Sequence, residues 1–371
     1  MRKVFNDISV FAYSSRGCET AARIADILQY NENDKATGAG NRTGRRLRLY
    51  TISRLARENA GFCPLDRPSA VTYQSEFEKS GALVFVGAMG IAVRNIAPYV
   101  NDKKTDPAVI CVDELGKYVI PVLSGHIGGA NMLAKELAEQ LNAIPVITTA
   151  TDINGRFSVD AWAAGAGFII DNMSTAKEIS ASILERDLPL MCSLPVKTEY
   201  PGGTFEYREC GNEKENEKER PDLGIYIGYS KKEPFDRTLK LIPPIIHLGI
   251  GCRRGTTCEA IKEAVNKVLE ENGIDERAVN SVNTIDIKKD EPGLCRFCEE
   301  KRWPLHTFTA QELNAVKGNF SSSAFVQGVT GTDNVCERAA MINAENLLVR
   351  KTACSGVTVA AAAESAEISF K

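Results

Sequence analysis

Histidine is scarce in this chain, with three among 371 residues. One of them, His126, stands within the segment 123–131, which reads Leu-Ser-Gly-His-Ile-Gly-Gly-Ala-Asn. An imidazole near neutral pH can take a proton from water, return one to a leaving group, or donate a hydrogen bond. Gly125, Gly128 and Gly129 around it keep side-chain bulk low, which lets a ligand approach. A segment of the same kind recurs at 249–255, Gly-Ile-Gly-Cys-Arg-Arg-Gly, where Gly249 and Gly251 precede Arg253 and Arg254. A guanidinium presents a planar fork that fits a carboxylate or a phosphate. Both segments follow an apolar run and open a helix-like one, and the unpaired N–H groups of a helix N-terminus favour anions. The pair suggests a large polyanionic ligand held between two domains. The plainer alternatives are a histidine that caps its own turn, arginines that face solvent, and glycines that serve only strand-to-helix connection.

Other residues fit such a site less specifically. Gly87-Ala-Met-Gly90 follows a strand-like run and can add to a ligand wall or be a packing turn, and Arg94 lies one helical turn further. Ser124 and Asn131 flank the His126 glycines, and Asp152 closes Thr-Thr-Ala-Thr-Asp at 148–152. Thr330-Gly331-Thr332-Asp333 opens a helix with Asp333 as its expected cap, and Glu337 one turn in is either a buried acid near the ligand or a surface partner of Arg338. Several chemistries are disfavoured. The 249–255 segment spaces its glycines G-x-G-x-x-x-G and lacks an acid about 20 residues on, so it departs from the dinucleotide fingerprint. Cys295-Arg-Phe-Cys298 has no second pair to complete a zinc site, and its spacing suits a buried helix face. No His-Glu-x-x-His or Walker A pattern occurs, and the Ser124–His126 spacing does not by itself build a protease triad.

The elements that must position these residues follow from periodicity. Strand-like runs at 8–13, 48–52, 82–87, 108–112 and 118–123 alternate with helical patterns at 18–30, 91–99 and 132–141, ending at 143–149. Leu115-Gly116 marks a hairpin, so the sheet is expected to be mixed. The segment 152–244 is less regular, with a helix at 174–185 capped by Ser174 or Thr175. The α/β pattern restarts at 245–250, with Thr256 and Glu259 as a capping box for 257–271, and then runs through 282–287, 304–308, 333–344 and 347–349. The expected fold is α/β and multi-domain: an N-terminal mixed-sheet domain (1–151), an irregular middle domain (152–244) and a C-terminal α/β domain (245–371). Segments 31–46 and 211–220 read as solvated loops. A net charge of −3 argues against nonspecific nucleic-acid binding. Eleven scattered cysteines, with neither a targeting segment nor an apolar run of about 20 residues, point to a cytoplasmic protein with reduced thiols and no membrane partner.

Taken together, Gly87 to Gly90, 124–131, 148–152, 249–255 and 328–337 resemble the cobalt-precorrin-5A hydrolases of anaerobic cobalamin biosynthesis, in order and across most of the chain. The resemblance implies a cobalt-corrinoid substrate whose δ-lactone is opened by water, with the extruded two-carbon unit leaving as acetaldehyde and cobalt-precorrin-5B as product. It implies no separate cofactor and no resident metal, since the cobalt arrives inside the substrate. On that reading His126 and Asp152 are the candidate acid and base, and free amides near 125–129 would form an oxyanion hole. Gly87, Gly90, Ser124, Gly125, Gly128, Gly129, Asn131, Gly249, Gly251, Arg253, Arg254, Gly331 and Glu337 are the candidate substrate contacts. The alternatives are a corrinoid carrier without catalysis and a nucleotide-dependent α/β enzyme. The oligomeric state stays open, with a homodimer among the options.

Overall fold

The computed structural model describes residues 5–29, 46–65, 67–102, 105–126, 128–209 and 220–370, which fall into two compact units, Met1–Ala166 and Gly167–Lys371. The segments 31–46 and 211–220, read above as solvated loops, lie almost wholly outside the described residues.

The first unit is built on β1 (Asp7–Ala12), α1 (Ser15–Gln29), β2 (Arg46–Ile52), α2 (Ser53–Glu58), β3 (Phe62–Leu65), α3 (Ala70–Lys79), β4 (Ala82–Val86) and α4 (Met89–Ile96). It continues with β5 (Ala108–Val112), β6 (Tyr118–Leu123), α5 (Ala130–Leu141), β7 (Ile144–Pro145), α6 (Ala150–Ile153) and α7 (Val159–Ala166). The strands form a single sheet in the order β3-β2-β1-β4-β5-β6-β7. Period-two alternation sends Ile8, Val10 and Ala12 to one layer, where α1 and α5 supply Ile24, Leu28, Leu133 and Leu137. Phe11 and Phe85 face the other layer, stacked with ring centroids 4.9 Å apart, against Tyr73 and Phe77 of α3 and Ile96 of α4.

One reversal decides where the site lies. Strands β1 to β5 pair in parallel, β5 and β6 are antiparallel, and β6 and β7 are parallel again. The hairpin between β5 and β6 is tied by the Asp113 carboxylate, which accepts from the backbone N–H groups of Leu115, Lys117 and Tyr118. Gly116 supplies the positive φ of 68°. In register, Val86 lies beside Val112, Ala82 beside Ala108, and Val109 beside Leu123. The residues after β4 and those after β6 therefore leave from opposite ends of the sheet, the last residues of the two strands being three steps of ~3.3 Å, about 10 Å, apart along the strand direction.

In the second unit, β8 (Ile169–Ile170), α8 (Met173–Ser182), β9 (Leu188–Cys192), β10 (Thr204–Glu206), β11 (Leu223–Ile227) and β12 (Arg237–Ile242) give a sheet ordered β10-β9-β11-β12-β8. The middle segment is thus regular where its sequence pattern looked irregular, because its outer strands are only two and three residues long. The cap of α8 is Asn172, whose side chain accepts from the N–H groups of Ser174 and Thr175. A third sheet follows from β13 (Ile246–Cys252), α9 (Cys258–Glu271), β14 (Val279–Ile285), α10 (Pro292–Lys301), β15 (Leu305–Phe308), α11 (Ala310–Ala315), α12 (Ala324–Thr330), α13 (Val335–Met341), β16 (Asn346–Cys354) and β17 (Val357–Ala363), ordered β15-β14-β13-β17-β16. Helices α9 and α10 cover one face with Ile261, Val265, Leu294, Phe297 and the buried Cys298. Helix α13 covers the other, setting Cys336 and Ala340 against Ala360 and Ala362. Among the described residues, no helix is long and apolar enough to cross a membrane.

Candidate functional site

Strand β6 delivers the chain into the His126 turn. Ser124 adopts a left-handed φ of 56°, and its hydroxyl donates to the Asp106 carbonyl at 3.1 Å, away from any role as partner to His126. The glycines answer to space. A Cβ on Gly128 would lie 2.2 Å from the Ser124 Cβ, and one on Gly125 would lie 2.7 Å from the Asn131 Oδ1. Of the amides at 125–129 expected to face a ligand, that of Gly129 is turned inward, as are the two that follow it. The Gly129 N–H donates to the His126 carbonyl at 2.9 Å, that of Ala130 to Ser124 at 3.1 Å, and that of Asn131 to Gly125 at 3.0 Å. An oxyanion hole made of these three amides is ruled out, because a donor closing its own loop has nothing left for a ligand. The turn is a mount for one side chain.

That side chain lies between two carboxylates. His126 Nε2 is 3.5 Å from the Asp152 Oδ2 and 3.3 Å from the Thr151 Oγ1, while Nδ1 is 3.5 Å from the Asp160 Oδ1. The imidazole stays 24% exposed, so water can reach it. Asp152, in α6, also accepts from the Asn131 Nδ2 at 2.9 Å, the Thr149 hydroxyl at 2.8 Å and the Lys135 Nζ at 2.7 Å. With Nε2 protonated, His126, followed by Lys135 and Thr149, holds the Asp152 carboxyl well below the usual carboxylate range despite its partial burial. An acid so readily ionised is a poor proton carrier near neutral pH and a good counter-charge. Asp160, at the start of α7, was not singled out in the sequence. It lies beyond the 148–152 motif, in a stretch whose sequence pattern is less regular and gives no sign that it faces His126. It is 6% exposed, and its Oδ1 accepts from the Ala161 N–H at 2.9 Å and the Ser158 hydroxyl at 3.3 Å.

Gly87 and Gly90 do not join this cluster, since they lie at the other end of the sheet. The Gly87 N–H is bound to the Val112 carbonyl at 2.8 Å, and nothing stands within 4 Å of a Cβ built on Gly90.

In the second unit the glycines and arginines of 249–255 part company. Gly249 lies inside β13, buried under α13, where an added Cβ would stand 1.8 Å from the Cys336 carbonyl oxygen and 2.6 Å from the Ala340 nitrogen. It is a packing glycine and touches no open space. Gly251, Arg253 and Arg254 instead line a cavity of about 1150 Å³. Lys351 of β16 lines it too and was not foreseen. Its backbone lies across the sheet, more than 90 residues from the arginines, and no local pattern links them. Among the described residues, no hydrogen bond or ion pair engages the guanidinium groups of Arg253 and Arg254 or the Lys351 Nζ. Ile285, Ile287, Val326 and Val329 give the cavity an apolar wall, and Lys288, paired to Glu291 at 2.9 Å, and Asp290 line it as well, which leaves the cationic side chains in excess. Such a space takes a large anionic ligand with an apolar face.

Two further expected contacts are structural. Gly331 ends α12 in the left-handed region at φ 76°. Glu337 is 0% exposed, and its carboxylate accepts from the Ser321 N–H (2.9 Å), the Ser321 hydroxyl (3.1 Å), the Asn334 Nδ2 (3.0 Å) and the Lys351 N–H (2.8 Å). With its acceptor capacity used, it ties α13 to β16 and offers nothing to a ligand. Asn334, not Asp333, caps α13, because Asp333 is paired to Arg338 at 2.8 Å.

Comparison with known proteins decides the family. The model described as Cobalamin synthesis G N-terminal matches residues 71–152, and the one described as Cobalamin synthesis G C-terminus matches 246–362. A cobalt-precorrin-5A hydrolase of Salmonella typhimurium is 35% identical, covering 95% of this chain and 96% of its own. The chain belongs to the cobalt-precorrin-5A hydrolase family. A second cobalt-precorrin-5A hydrolase, from Priestia megaterium, is 32% identical over 78% of this chain and 80% of its own. A solved cobalamin biosynthesis protein G homolog from Sulfolobus solfataricus covers 96% of this chain and 97% of its own at 22% identity, with a TM-score of 0.39. The N-terminal family match spans the His126 turn and ends on Asp152, and the C-terminal match spans Arg253, Arg254 and Lys351. Asp160 falls outside both.

Proposed function

We propose that this chain acts as a cobalt-precorrin-5A hydrolase, opening the δ-lactone of the corrinoid with water and releasing acetaldehyde to give cobalt-precorrin-5B. The observation that carries the reading is the similarity to a cobalt-precorrin-5A hydrolase along 95% of the chain. The His126 cluster supports it chemically. Water adds to the lactone carbonyl while the imidazole takes its proton, and the ring C–O bond breaks to leave a carboxylate and an alcohol. The alcohol then gives up its proton as its C–O becomes the aldehyde carbonyl. The bond to the macrocycle breaks, and the electron pair passes into the electron-poor ring. His126 serves the proton transfers, and the ionised Asp152 balances the charge the imidazole gains.

The second unit's cavity supports corrinoid binding. Its size exceeds the ~300–1,000 Å³ of ordinary small-molecule sites, and Arg253, Arg254 and Lys351 suit acetate and propionate side chains. The cobalt belongs to the substrate, no separate cofactor enters the scheme, and the reaction is assigned to the cytoplasm. The test is anaerobic incubation of purified protein with cobalt-precorrin-5A. Catalytic acetaldehyde release, abolished by boiling, is expected. Stoichiometric binding without aldehyde would turn the reading into that of a corrinoid carrier.

A further inference from the structure

The two carboxylates beside His126 are unlike each other, and the difference sets the state of the ring. Asp152 is heavily engaged, taking hydrogen bonds from Asn131, Thr149 and Lys135. Lys135, its nearest cation, is more than half exposed, so Asp152 sits on the solvent side of the cluster. Asp160 is the more buried, with a side chain 9% exposed against 19% for Asp152. Its Oδ1 is fixed by the amide of the next residue and by the Ser158 hydroxyl, and the same atom faces Nδ1 of the imidazole at 3.5 Å. No cation is paired with Asp160 among the described residues apart from the histidine itself.

A neutral imidazole carries one N–H, and the acceptor that holds it decides which nitrogen is basic. The Thr151 hydroxyl stands 3.3 Å from Nε2 and is able to donate to it. We propose that Asp160 is the positioning residue that keeps the His126 proton on Nδ1, so that Nε2 is the nitrogen left to take a proton from water. When Nε2 is protonated, Asp152 lies 3.5 Å away to receive the new N–H. The two acids then divide the work: one sets the tautomer at rest, and the other stabilises the charged ring. An aspartate holding a catalytic histidine in one tautomer is worth about 10⁴-fold in the serine protease triad, where the same kind of contact has been probed by a single amide replacement.

This inference rests on the reading of His126 as acid and base, and its test separates the two. Protein labelled with ¹⁵N in its three histidines reports the tautomer of each ring directly, with H126A assigning the signal and no substrate needed. Nδ1-protonated His126 in the wild type, shifting toward the Nε2-protonated form in D160A and D160N, is expected. An Nε2-protonated ring in the wild type, or one unmoved by both substitutions, overturns the proposal. Kinetics give the second readout. D160N should lower kcat by ~10²-fold or more with KM little changed and the melting temperature within a few degrees of wild type, and D160E should recover part of the loss. A D160N protein that is folded, binds normally and turns over at the wild-type rate also overturns it. If H126A itself retains wild-type turnover, the acid–base reading fails, whatever the tautomer.

Discussion

The segments 123–131 and 249–255 look alike in sequence and do opposite things in the fold. Each is a glycine-rich passage from strand to helix. In the first, the backbone folds onto itself: the amides of Gly129, Ala130 and Asn131 close the turn, and what it presents is one imidazole between two acids. In the second, Gly249 never leaves the strand and is pressed under α13, while the arginines beyond the strand end open onto a cavity. Glycine enrichment marks close approach in both places, and in both the thing that approaches is the protein itself. What each segment offers to a ligand is the few side chains standing between the glycines.

The sharpest way to break that contrast is Gly249→Ala. A methyl directed at the Cys336 carbonyl should cost about 3 kcal/mol, at the upper end of overpacking, read as a lower denaturation midpoint. An unchanged midpoint would mean that α13 is free to shift and that the glycine is not needed for packing. Almost as large is H126A, which should reduce acetaldehyde release by ~10²-fold or more while leaving corrinoid binding in place. Loss of binding with an intact rate at saturation would move His126 from catalysis to substrate contact. Smaller effects are expected in the cavity. R253A and K351A should each raise KM by ~10-fold, as for one charge-assisted hydrogen bond of about 1.5 kcal/mol. A fall in kcat alone would show that the cavity does more than hold carboxylates.

The smallest effect is one of pH. Because Asp152 is held below its unfolded value of about 4, its ionised form adds stability that is fully present above that value and is lost as pH falls toward the depressed one. The stability gap between wild type and D152N should therefore be widest near neutrality and shrink on acidification below about pH 5. A gap constant with pH would mean that packing, not charge, is what the asparagine disturbs.

Much of the frame was legible because its signals are local. The runs 108–112 and 118–123 were read to the residue, and the hairpin between them carried the mixed sheet. The middle sheet was not legible: β8 and β10 are too short for an alternation to show, and β8 finds its antiparallel partner β12 some 70 residues away. In the candidate site, His126 stood out as a rare residue type among glycines and Asp152 as the end of the 148–152 motif, and the fold brings the two together. Asp160 and Lys351 escaped because their meaning comes only from what lies across space. The error over Glu337 has the same origin, since Ser321 and Lys351, which consume its lone pairs, lie 16 and 14 residues away in other elements. Gly87 was placed in the same wall as His126 because sequence conveys strand order poorly and strand direction worse.

The reversal at the β5–β6 hairpin has a practical use. Its tip, with Leu115 47% exposed, lies at the rim away from His126. A fluorophore or affinity handle attached there would ride on the same rigid sheet as the histidine, a strand's length from it. It would report on the motion of the whole layer during turnover without crowding the imidazole.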